Sequence, residues 1–172
     1  MRFFPNRRLM LVLLGLVWLE LSFLPFFSVW GVKPDLFFVF LVFYAFRINW
    51  KRVIGLALIL GLAKDFLTHS FFGLEAASHT AGAVLLQFLA VRFDRDKRWV
   101  QLAGLFSFSW FTLTLYALLA WIVQAPYRLG SEMALKSFLI AAYTTLAGLV
   151  LFDVLERWLK PTLRDKQYEL FN

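Results

Sequence analysis

Hydrophobic positions in this chain come in long unbroken runs, separated by short polar gaps rather than by a helical or strand-like alternation. The runs cover residues 9–30, 36–46, 53–67, 71–91, 99–123 and 133–155. A helix crossing the hydrocarbon of a bilayer needs about 20 apolar residues. Runs one, four, five and six reach that length; runs two and three fall short of it. The short pair either extends into its polar flanks, thins the bilayer locally, or forms a re-entrant loop. The pattern predicts an all-α membrane protein, a six-helix transmembrane bundle. Its spans lie at about 9–30, 34–47, 52–68, 71–91, 99–123 and 133–156, in one domain over residues 1–158 with a short tail at 159–172.

Charge decides between the alternatives. Basic residues gather in every second gap: Arg2, Arg7 and Arg8; Arg47, Lys51 and Arg52; Arg92, Arg95, Lys97 and Arg98; and Arg157, Lys160, Arg164 and Lys166. Only Lys33, Lys64, Arg128 and Lys136 lie at or near the other gaps. Short loops rich in Lys and Arg stay in the cytoplasm, so the alternation predicts six spans with both termini inside. A re-entrant pair would put the basic "RINWKR" outside, against that rule. The net charge of +7 is then accounted for by loops lying against an anionic inner leaflet, and nucleic acid is not needed as a partner.

Composition agrees. The chain of 172 residues is 61% hydrophobic and 17% charged, with 21 Phe, where soluble domains run closer to about half apolar and a quarter charged. The natural solvent for so much apolar surface is lipid. With no cysteine, disulfides, thiolate metal sites and a Cys nucleophile are excluded. The first run resembles a secretion signal in its Arg pair and apolar core, but it lacks a small-residue cleavage site. It is read as an uncleaved span.

Local signals refine the elements. "VKPDLF" is a helix start: Pro34 suits the first helical position, and Asp35 favours the positive end of the helix dipole. Most of the seven Trp fall near span ends, as interfacial residues do, with Trp18 and Trp110 at mid-span. Small residues repeat every four positions at Gly73, Ala77 and Ala81, at Ser78 and Gly82, at Ala57 and Gly61, and at Thr144 and Gly148. Such ladders let helices approach closely in lipid, within the bundle or against a partner's transmembrane helix. Pro161 is expected to end the last helix. Asp153 with Arg157, and Glu156 with Lys160, are spaced to pair on one helix face.

The densest polar stretch is "GLAKDFLTHSFFGLEAASHT", residues 61–80. Asp65 and His69, and Glu75 and His79, each stand four apart, a spacing compatible with metal ligands. The two pairs flank the turn "SFFG", and nothing in the sequence shows that they converge. The alternative is a structural turn, in which Gly73 permits the tight backbone and Thr68, Ser70 and Ser78 satisfy freed backbone groups. Glu20, about 18 Å along a helix from Arg8, is an intramembrane carboxylate. Such groups usually face the interior and have a partner, and Lys64 and Lys136 lie at comparable depth. No phosphate-binding glycine loop, dinucleotide fingerprint or nucleophile elbow is present. The expectation is no enzyme, no cofactor and no metal.

"KPDLFFVFLVFYAFR", followed by "WKRVIGLALILGLAKDFLTHSFFGLEAASHTAGAVLLQFLA", resembles the MreD family of rod shape-determining membrane proteins. The resemblance rests on Pro34, Asp35 and Leu36 at the start of the second span. It continues with Gly55, Gly61 and Asp65 in the third span and Gly73 opening the fourth. Lys64, His69, Glu75 and His79 lie outside that pattern. The resemblance implies a non-enzymatic subunit of the bacterial cell-elongation machinery in the cell (inner) membrane. It would act with MreC and, directly or indirectly, with RodA, its penicillin-binding transpeptidase and MreB, to organise peptidoglycan synthesis. It also implies a fold similar to the S components of energy-coupling-factor transporters. That likeness supplies the alternative, a vitamin-binding S component with residues 64–79 as its pocket; an intramembrane enzyme using Glu20, Asp65 or His79 comes third.

Overall fold

The computed structural model describes residues 7–22, 26, 28, 31–68, 71–93, 97–123 and 131–168. Among them are six helices and no strand: α1 (Arg7–Ser22), α2 (Leu36–Ala45), α3 (Trp50–Thr68), α4 (Leu74–Arg92), α5 (Arg98–Ile122) and α6 (Ser131–Tyr168). All six expected helices form. Two of them, over Arg98–Ile122 and Glu132–Arg157, are long and apolar enough to cross a membrane.

The organising element is α2. Its ten residues, "LFFVFLVFYA", are all buried, and it packs against each of the other five helices. A helix that is apolar all round belongs in a core, and this one is the bundle's central post. At 1.5 Å per residue it is about 15 Å long, half the hydrocarbon thickness of about 30 Å. Its shortness therefore has a reason the sequence left open: its side chains meet protein rather than lipid. Phe38 packs edge-on against Phe108 of α5 at 5.2 Å, and Phe43 lies 6.1 Å from Phe152 of α6.

Around this post, α3 pairs with α4, α4 with α5, and α5 with α6. Small residues set the closest approaches. A Cβ on Gly61 would stand 2.5 Å from the Ala76 Cα and 2.8 Å from the Glu75 carbonyl oxygen, so α3 and α4 touch backbone to backbone there. Gly82 of α4 lies beneath Thr112 and Phe108 of α5, and Gly148 of α6 against Leu105. The outer surface is apolar: Leu11, Phe66, Trp121, Leu146 and Val150 are all more than half exposed. Exposed apolar surface spread over several helices is what a lipid-facing protein presents.

Four expectations about the elements need correction. Helix α1 is described over Arg7–Ser22, and residue 28 is not helical, so α1 does not run unbroken to residue 30. Pro34 is not the first helical residue, because Asp35 is the N-cap and α2 begins at Leu36. Helix α6 continues through Pro161 to Tyr168. Inside a helix a proline removes one backbone hydrogen bond and bends the helix as readily as it ends it. Finally, Asp153 reaches across the bundle rather than along its own helix, and Glu156 also has partners outside its own helix, while the Lys160 side chain lies outside those described. Asp153 pairs with Arg98, and Glu156 with Arg47 at 2.6 Å and Arg98 at 3.3 Å.

Candidate functional site

A short helix buried on all sides poses a problem at both ends, since its first four N–H and last four C=O groups have no partner within the helix. In a membrane no bulk water can satisfy them. The described structure accounts for all eight. At the N-terminus, Leu36 N–H donates to Glu20 Oε2 at 3.1 Å. Phe37 and Phe38 N–H donate to Asp35 Oδ1 at 3.0 and 3.3 Å, and Val39 N–H to the Asp35 carbonyl at 3.5 Å. At the C-terminus, the Val42 carbonyl accepts from Phe46 N–H, and that of Tyr44 from the N–H groups of Arg47 and Ile48. The Phe43 carbonyl accepts from the Arg47 guanidinium at 2.9 Å, and that of Ala45 from Gln87 Nε2 at 2.8 Å.

This places Glu20. It is buried at the end of α1, bonded to the head of α2, with Lys33 Nζ 3.3 Å from its other oxygen. Its cation is Lys33, not Lys64 or Lys136, both of which sequence position had matched to its depth. Lys136 is exposed on α6.

Asp35 is the hub of the site. Its own N–H donates to Thr144 Oγ1 of α6 at 3.0 Å, its Oδ1 caps α2, and its Oδ2 accepts from Lys64 Nζ at 2.5 Å. The Lys64 ammonium also stands 3.7 Å from Glu75 Oε2 of α4 and 4.7 Å from the Phe38 ring. The three charged side chains are 8–13% exposed, so Lys64 ties α2, α3 and α4 together through a desolvated ion-pair lattice. Its position in the sequence marks Lys64 as a membrane-embedded polar residue, and this three-helix role is visible only in the fold. Gln87 went unremarked; its signal was a lone amide in an apolar helical run.

Asp65, the next residue on α3, points to α4 instead. Its carboxylate accepts from the N–H groups of Gly73, Glu75 and Ala76 at 2.9, 3.0 and 3.2 Å, so one side chain caps the neighbouring helix. Gly73 sits at φ +95°, a left-handed conformation that glycine adopts without steric cost. Glu75 and His79 face each other, with His79 Nδ1 donating to the Glu75 carbonyl at 2.8 Å and lying 3.4 Å from its carboxylate. His79 Nε2 is buried without a hydrogen-bond partner. Thr68 and Ser78 bond backbone carbonyls of their own helices, at 2.8 and 3.0 Å, which fits the structural-turn expectation; His69 and Ser70 lie outside the described residues. Of the four residues with metal-ligand spacing, Asp65 is occupied by amides and Glu75 is paired with Lys64. Among the described residues no three His, Asp or Glu groups are placed to hold an ion.

The small-residue faces divide. Ser78 and Gly82 look into the bundle, and Gly61 takes the backbone of Ala76. Ala77 is exposed and Ala81 half-buried, continuing into exposed Val84 and Phe88. Gly55 is half-buried on α3, and Leu36 is buried at the head of α2.

An all-helical bundle with an apolar outer surface, whose buried charges satisfy its own helix ends, is compatible with the class of helical membrane proteins. The chain matches the family model of rod shape-determining protein MreD over residues 2–160. It belongs to the MreD family and is a rod shape-determining membrane protein. No curated protein and no solved structure matches it.

Proposed function

We propose that this chain is a non-enzymatic, multi-pass subunit of the bacterial inner membrane, with both termini cytoplasmic, that acts with MreC to organise peptidoglycan synthesis during cell elongation. RodA, its transpeptidase and MreB are the further partners on this reading, and its fold is similar to that of transporter S components. The observation carrying it is the family match over residues 2–160. The placement of charge supports the topology: Arg47, Arg98 and Glu156, from the three basic gaps after α2, before α5 and late in α6, meet at one end of the bundle. Glu20, Lys33, Lys64 and Glu75 meet at the other.

The partner's transmembrane helix is assigned to the outer face of α4 along Ala77, Ala81, Val84 and Phe88. There small residues give way to apolar ones on a single helical stripe, and close backbone approach is available. The vitamin-binding alternative gains nothing from the charged groups described there, since Asp35, Lys64 and Glu75 are turned toward one another. A mild-detergent pull-down from native membranes with mass spectrometry tests the proposal. MreC in the eluate, reduced by Ala81→Trp, supports it. Recovery of transporter ATPases or a bound vitamin without MreC contradicts it.

A further inference from the structure

Three threonines of this bundle satisfy their hydroxyls on their own helices. Thr80, Thr114 and Thr145 each donate to the carbonyl four residues back, at 2.7, 2.8 and 2.7 Å, a common arrangement for threonine within a helix. Thr112 of α5 does not. It is 0% exposed, and its Oγ1 has no hydrogen-bond partner. The hydroxyl is turned across the seam between α5 and α4 instead. It lies directly over the backbone of Gly82, where a Cβ would collide with it.

The part of α4 that it meets carries a second unpartnered atom. His79 stands one turn before Gly82, and residues three apart share a helix face. It too is 0% exposed. Its Nδ1 is engaged by the Glu75 carbonyl at 2.8 Å, which leaves Nε2 buried without a partner. The two sites share their apolar walls. The Phe38 ring stands 4.9 Å from the His79 ring and 5.2 Å from that of Phe108, and Phe108 lies against Gly82 alongside Thr112.

A polar atom buried without a partner is costly, and inside a membrane no bulk water relieves it. Both atoms are closed to the surface, so whatever satisfies them must be small and internal. A metal ion does not suit the donors: among the described residues no three His, Asp or Glu groups are placed to hold one. Water both donates and accepts, so it serves a ring nitrogen and a hydroxyl together. Buried waters typically make about three hydrogen bonds to groups otherwise unsatisfied. We propose that one water is bound between His79 Nε2 and Thr112 Oγ1. It carries the network of Asp35, Lys64, Glu75 and His79 across to α5, so that a fourth helix joins α2, α3 and α4 in one polar lattice.

The test is nuclear magnetic resonance of the full chain in lipid bilayers, with histidine isotope-labelled at its ring nitrogens. The chain has two histidines, so His69→Gln leaves His79 as the only labelled ring. Magnetisation from water protons is expected to reach Nε2. Thr112→Val trades the hydroxyl for a methyl group of similar shape and should abolish that transfer, whereas Thr112→Ser keeps the hydroxyl and should retain it. The unfolding midpoint in detergent supplies an independent sign. Losing a hydroxyl that holds a water lowers the midpoint, and losing one that is unsatisfied raises it. Absence of transfer to Nε2 in the chain with Thr112 overturns the proposal. So does transfer undiminished by Thr112→Val, or a midpoint raised by that change. If the valine variant fails to fold, Thr112→Ala takes its place in the transfer measurement.

Discussion

The two ends of α2 solve the same problem with opposite chemistry. At the N-terminus the amides are taken by carboxylates, Glu20 and Asp35; at the C-terminus the carbonyls are taken by the Arg47 guanidinium and the Gln87 amide. The signs follow the helix dipole, anions at its positive end and a cation at its negative end. The ends differ in burial. Lys64, Asp35 and Glu75 are almost fully enclosed, whereas Arg98 and Asp153 are 44% and 57% exposed. Ion pairs of similar geometry should therefore differ widely in what they contribute. Breaking an enclosed pair strands a charge in a low dielectric, while breaking an exposed one returns both partners to solvent.

That contrast can be broken from its strongest point downward. Lys64→Met removes the one ammonium between two buried carboxylates. It should destabilise the bundle by about 3–5 kcal/mol, the range for stranding a buried charge, measured as a fall in the unfolding midpoint in detergent. Glu20→Ala orphans the Leu36 amide and should cost about 1–3 kcal/mol. Glu20→Gln keeps an acceptor there and should lose much less, because Lys33 is half exposed. Asp65→Ala uncaps α4 and should cost about 0.5–2 kcal/mol, seen as faster amide exchange at Gly73, Glu75 and Ala76. Asp153→Asn, at the exposed end, should shift stability by only about 0.2–1 kcal/mol. An Asp153→Asn effect equal to that of Lys64→Met would erase the distinction between the ends.

What the sequence made legible follows from which forces act locally. Long apolar runs and alternating basic gaps are local, and the six helices follow from them. The tight turn at Gly73 is local too, whereas the start of α2 is displaced, with Asp35 as its N-cap where the pattern made Pro34 the first helical residue. Partner choice is tertiary. Glu20 meets Lys33, thirteen residues on and outside its own helix, a pairing that depth along a helix does not encode. Lys64 and Asp65 are adjacent in sequence, yet one serves α2 and the other α4, since successive residues on a helix diverge in direction. Arg98 pairs with Asp153 and Glu156 of another helix for the same kind of reason. Gln87 matters only because the end of α2 lies beside it.

On this account the charges at the head of α2 hold the bundle together and perform no chemistry. The most direct test is whether the triple variant Asp35→Asn, Lys64→Met, Glu75→Gln restores rod shape to cells lacking the native protein. Asn is a good N-cap, and replacing a whole buried ionic cluster by neutral groups of similar volume is often tolerated where removing a single partner is not. Rods, with the variant present in the membrane at native levels, are the predicted result. Round cells containing a folded, normally abundant triple variant would contradict the account and make these charges part of an activity or a ligand site.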